Sequence, residues 1–130
     1  MKREILIAAA LGEREPDLVL KNARVVNVFS GEVVPGDIAI AGGMIAGVGS
    51  YDSVDLGGKF VAPGFIDAHV HVESSMVSPP AYCTEALGWG TTTLVTDPHE
   101  IANVAGGAGV RFMLDTSAKL PVNYYVQLPS

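Results

Sequence analysis

Residues Gly64–Ser75 read GFIDAHVHVESS, and the reading of this stretch decides the fold. The chain has three histidines, and two of them, His69 and His71, stand two residues apart in an otherwise apolar run. Alternation predicts a strand over Gly64–Val72. Side chains two apart on a strand share a face. One face then carries Phe65, Asp67, His69, His71 and Glu73, and the other carries Ile66, Ala68, Val70 and Val72. Two imidazoles on one polar face late in a strand can converge on a divalent metal. Two core histidines, each satisfied separately, are the plainer alternative.

Downstream, "SPPAYCTEALGWG" predicts a helix with prolines at its start and Gly88 or Gly90 at its end. "TTTLVTD" predicts a β-branched strand. "PHEIANVAGGAGVRFMLDTSAKL" predicts one or two helices with a glycine break, and "PVNYYVQLPS" a last strand. Strand, helix, strand, helix, strand is the order of parallel βα units. In such folds the C-terminal strand ends display the functional residues. "TDPHE" follows the second strand, so Asp97, His99 and Glu100 fall on the same rim as the histidines. Each can ligate, carry protons or orient a ligand. They also read as a helix start, with Asp97 as N-cap, Pro98 at the first helical position and Glu100 near the third. Glu73-Ser74-Ser75 either contacts substrate or ligands, or caps the next helix.

Upstream of Pro63 the texture differs. "MKREILIAAALGERE" has two basic residues before an apolar run, as a signal peptide does. Glu4, the short run and the charges that follow favour an amphipathic helix. "DLVLKNARVVNVF" predicts a strand or strand pair, with Lys21-Asn22 as a possible turn. Ser30-Gly31 and Pro35-Gly36 are turn chemistry around a short Val-Val run. Gly42-Gly43 between apolar stretches predicts a hairpin, and Lys59–Ala62 a further short strand. Residues 17–62 thus read as a small antiparallel β module, and the division is 1–62 and 63–130.

The net charge of −6 and the scattered eight Lys and Arg exclude a basic nucleic-acid stripe. No apolar run is long enough to cross a bilayer. The single cysteine, Cys83, cannot form an intramolecular disulfide and suits a reducing, cytoplasmic setting. Cys83, Trp89 and the four methionines read as core. "GGAG" at 106–109 lacks the Lys-Ser/Thr of a phosphate loop.

"VAPGFIDAHVH" resembles the first barrel strand of the amidohydrolase superfamily. More narrowly, "HVHVESSMVSP", "GTTTLVTDPHEIANVAGGAG" and "DLVLKNARVVNVFSGEV" together resemble the adenine deaminases over Asp17–Ser130. The resemblance implies an α/β fold with a β-rich N-terminal part: half of a β-sandwich, then the first βα units of a TIM-like (β/α)₈ barrel. It implies adenine as the small-molecule substrate, converted to hypoxanthine and ammonia in purine salvage. It implies a divalent transition metal (Mn, Fe or Zn) on His69 and His71, which activates a water. Catalytic roles then fall to Asp97, His99 and Glu100, and substrate contacts to Glu73 and Ser74. A complete barrel takes roughly 250 residues, so the expectation is an N-terminal segment, catalytic only in a complete enzyme. Its open sheet edge predicts a homo-oligomer. The alternatives are another amidohydrolase acting on a cyclic amide or amidine, and a non-catalytic module that binds metal weakly or self-associates.

Overall fold

The computed structural model of the chain describes residues 2–49 and 54–128. Met1 of the first helical stretch and Pro129-Ser130 of the last strand stretch lie outside the described residues. The chain divides into two compact units, Met1–Pro63 and Gly64–Ser130.

In the first unit, α1 (Lys2–Ala10) precedes β1 (Leu18–Asn27), β2 (Glu32–Ala41), β3 (Met44–Gly49), β4 (Val54–Asp55) and β5 (Phe60–Val61). The strands form one sheet in the order β3-β2-β1-β4, with β5 also on β1. Ala9, Val19, Ala23, Ile38, Ala39 and Ala41 make its core, and α1 packs on β2 and β3. The Gly42-Gly43 hairpin forms as expected. Both glycines hold positive φ, at 60° and 75°, as a tight two-residue reversal requires.

Three expectations are corrected here. Lys21-Asn22 is not a turn. β1 runs through it with a register irregularity, Asn22 at φ 57°, and the Asn22 amide donating to Asp37 Oδ1 at 2.9 Å. Pro35-Gly36 does not break β2. β3 pairs β2 only from Asp37↔Gly49 onward, so among the described residues Pro35 has no β3 partner. A missing amide is tolerated at such an edge-like position. The sheet is mixed rather than antiparallel, because β4 and β5 pair with β1 in parallel.

In the second unit, β6 (Phe65–Val70), α2 (Pro79–Gly88), β7 (Thr91–Thr96), α3 (His99–Ser117) and β8 (Asn123–Val126) alternate. All strands are parallel, in the order β6-β7-β8. Ser78 is the N-cap of α2, with proline at its first helical position. α3 carries the expected glycine break at Gly106, whose φ 58° and ψ −148° are open to glycine alone. Val72, Cys83, Leu94, Thr96 and Met113 are buried.

β6 is shorter than expected. It ends at Val70, and Val72–Ser75 forms a 3-10 turn closed by Met76 at φ 62°. Its aliphatic face is also uneven. Val72 is wholly buried, but Ile66 is 66% exposed. β6 is an edge strand, and α2 packs on β7 instead. Cys83 and Met113 are core, as expected, but Trp89 is 78% exposed. Trp89 lies just past α2, where its indole N–H donates to Glu85 Oε1 at 2.8 Å. Met44 and Met76 are exposed as well.

Candidate metal centre

β6 delivers His69 at its C-terminal end. His71 follows one residue beyond the strand but keeps an extended backbone, φ −106° and ψ 90°. The two side chains therefore stay on one side, as strand geometry would have placed them. Their Nε2 atoms lie 3.2 Å apart and their rings meet edge-on, with centroids at 4.8 Å. Asp97 comes from the adjacent strand end. Its amide donates to Val70 O at 3.0 Å, which continues the β6–β7 pairing past the last residue of β7.

The backbone of Asp97 also sets a tautomer. His71 Nδ1 lies 2.8 Å from the Asp97 carbonyl oxygen. A carbonyl only accepts, so Nδ1 carries the proton, and the Nε2 lone pair faces His69. Ligating atoms of His69, His71 and Asp97 all lie within 4.8 Å of one another. The Asp97 side chain is 19% exposed. Its Oδ2 meets His99 Nδ1 at 3.2 Å, while Oδ1 is buried with no hydrogen-bond partner.

These residues fit a divalent cation. Two nitrogens each about 2.1 Å from a tetrahedral metal stand roughly 3.4 Å apart, close to the observed 3.2 Å. An unpartnered buried carboxylate oxygen is costly unless a cation or donor meets it. Nitrogen and carboxylate donors together suit a divalent transition metal.

His99 joins the group through its ring, 4.7 Å from that of His71. The expected helix cap is shifted by one residue. Pro98 is the N-cap and His99 the first helical residue, so Asp97 does not cap α3 and its carboxylate turns to His99. Glu73, Ser74 and Glu100 do not join the histidines in this cluster. Ser74 Oγ donates to Glu100 Oε2 at 2.5 Å, and Glu73 Oε1 accepts from the Ile101 amide at 3.5 Å.

Asp67 is a site residue to which the sequence reading assigned no role. Its Oδ1 accepts from the His69 amide at 3.2 Å, at the register irregularity between Asp67 and Val70. The D-x-H spacing carries that signal, because Asp side chains bond amides two residues on. Burial, then the Asp67 carboxylate, pushes the Tyr82 hydroxyl above its ordinary pKa.

Residues 60–130 match the amidohydrolase family. Adenine deaminase 2 of Carboxydothermus hydrogenoformans is 55% identical over 128 residues, which cover 96% of this chain and 22% of that protein. The adenine deaminase of Listeria monocytogenes serotype 4b is 53% identical over 95% of this chain and 22% of its own length. That of Desulfitobacterium hafniense is 52% identical over 96% of this chain and 22% of its own length. Among solved structures, the L-hydantoinase (dihydropyrimidinase) of Arthrobacter aurescens is similar with a TM-score of 0.54 and 28% identity. That likeness covers 64% of this chain and 21% of the hydantoinase. The chain thus spans about a fifth of the length of the curated relatives it matches.

Proposed function

Because the chain belongs to the amidohydrolase family, we propose that it is the N-terminal segment of an adenine deaminase, acting in a complete enzyme to hydrolyse adenine to hypoxanthine and ammonia. One observation carries the reading: His69, His71 and Asp97 offer ligand atoms within 4.8 Å of one another at the C-terminal ends of adjacent parallel strands. The 55% identity to an adenine deaminase supports the choice of substrate.

In this reading His69, His71 and Asp97 hold a divalent ion, Mn, Fe or Zn. When bound, that ion supplies an activated water for attack on the ring carbon that bears the amine. His71 presents Nε2 because its Nδ1 proton is committed to the Asp97 carbonyl. His99 holds its Nδ1 against Asp97 Oδ2, which leaves Nε2 free to take up and return a proton as ammonia departs. Glu100 lies one residue on, at the same rim. Glu73 and Ser74, on the turn after the histidines, line the approach for substrate. The reaction suits purine salvage in the cytoplasm. Self-association of this chain would cover the edge that β6 leaves open.

The test is a chimera. This chain replaces the matching segment of the Carboxydothermus hydrogenoformans relative, and ammonia release from adenine is measured. The chimera is expected to turn over, the His69→Ala chimera to lose at least a thousandfold in rate, and the isolated chain to release no ammonia above background. A folded chimera no faster than its His69→Ala form removes the adenine reading. Deamination by the isolated chain, lost in His69→Ala, removes the claim that a complete enzyme is needed.

A further inference from the structure

Two polar contacts join the 3-10 turn Val72–Ser75 to the first turn of α3, and neither belongs to the His69–His71–Asp97 cluster. Ser74 Oγ donates to Glu100 Oε2 at 2.5 Å, a charge-assisted bond. Glu73 Oε1 accepts from the Ile101 amide at 3.5 Å. That amide is one of the first helical N–H groups, which have no partner within their own helix. A carboxylate there also meets the positive end of the helix dipole. Ser74 lies three residues past His71, and Glu100 three past Asp97. The contacts therefore tie the histidine segment to the Asp97 segment a second time. Val72, wholly buried, anchors the turn between them.

We propose that Ser74 and Glu100, with Glu73, form a latch that sets the spacing of His71 and Asp97 and so tunes the affinity of the centre for a divalent cation. They are positioning residues that touch the ligands' segments rather than the cation. The inference rests on the metal reading above and deepens it. The logic is that of outer contacts which orient ligands, whose loss weakens metal binding by about 10–100-fold. Ser74 and Glu100 are exposed, so the low end applies.

The test titrates the chain with Co(II), read by calorimetry and by the visible ligand-field absorption of the bound ion. Ser74→Ala and Glu100→Gln are each expected to weaken Co(II) binding about tenfold, with the ligand-field bands retained. The double variant should be no worse than Ser74→Ala alone, because Glu100→Gln only weakens a bond that Ser74→Ala already removes. Ser74→Thr, which keeps the hydroxyl, should restore the parent affinity, and Trp89 fluorescence should report unchanged folding in each variant. Parent affinity in Ser74→Ala overturns the latch. Weakening in Glu100→Gln alone overturns it too, since Glu100 would then act without Ser74. Failure of the underlying metal reading is distinguishable: Co(II) binding by the parent chain would then survive the joint change His69→Ala and His71→Ala.

Discussion

Gly64→Ala tests whether the tight β6–β7 junction holds the second unit together. A methyl group added at Gly64 would stand 2.1 Å from Thr92 Oγ1, 2.4 Å from its Cγ2 and 2.8 Å from its Cβ. Ordinary contact begins near 3.4 Å, so the clash exceeds half an ångström even at the Cβ. Rotating the threonine moves Oγ1 and Cγ2 but not Cβ. The backbones must therefore separate where Phe65 N donates to Gly90 O at 2.9 Å. Overpacking of this kind costs about 1–3 kcal/mol, and a clash that no rotamer relieves belongs near 3 kcal/mol. The assay is urea unfolding followed by the fluorescence of Trp89. It is the single tryptophan and lies in the second unit, so it reports that unit alone. Adding Thr92→Ala removes the two nearest atoms and leaves the 2.8 Å contact, so part of the loss should return. A Gly64→Ala midpoint equal to the parent's would refute the packing argument. So would a loss that Thr92→Ala leaves untouched.

Replacing His69 and His71 together with alanine should abolish divalent-metal binding in calorimetry, and retained binding would remove the site. Burial pushes the Tyr124 hydroxyl up to about 12 from the usual 10. An acid raised on folding keeps its stabilising effect below its unfolded pKa and loses it as pH rises through the folded one. Stability of the second unit should therefore fall between about pH 10 and 12, and Tyr124→Phe should flatten that fall in a denaturant series. Cys83 is buried, and burial raises its thiol pKa. An aromatic disulfide reagent at pH 8 should leave it unreacted in the native chain and titrate one thiol after unfolding; rapid native reaction would contradict the burial. The exposed Phe65 and Ile66 on edge strand β6 should make the chain self-associate, and light scattering showing only monomer at high concentration would count against it.

The sequence by itself determined what a few neighbouring residues decide. Gly42-Gly43 specifies the hairpin because only glycine enters positive φ twice in succession without cost. Gly106 breaks α3 for the same reason. Alternation and glycine punctuation were enough to order the βα units, and the H-x-H pair converges although β6 stops at Val70, because His71 stays extended. Tertiary structure alone decided the features that join distant segments. The β6–β7 pairing carries Asp97 to His71, 26 residues away, and gives the imidazole its tautomer. Pro35 sits inside β2 because, among the described residues, it has no β3 partner, and Trp89 stands in solvent although composition put it in the core. Gly64 reads locally as the start of a strand; only the pairing shows that Thr92 leaves no room for a side chain there. The physical reason is common to all of these. Backbone preference is a property of one residue and its neighbours, whereas register, edge position and carboxylate partners exist only once separate segments have come together.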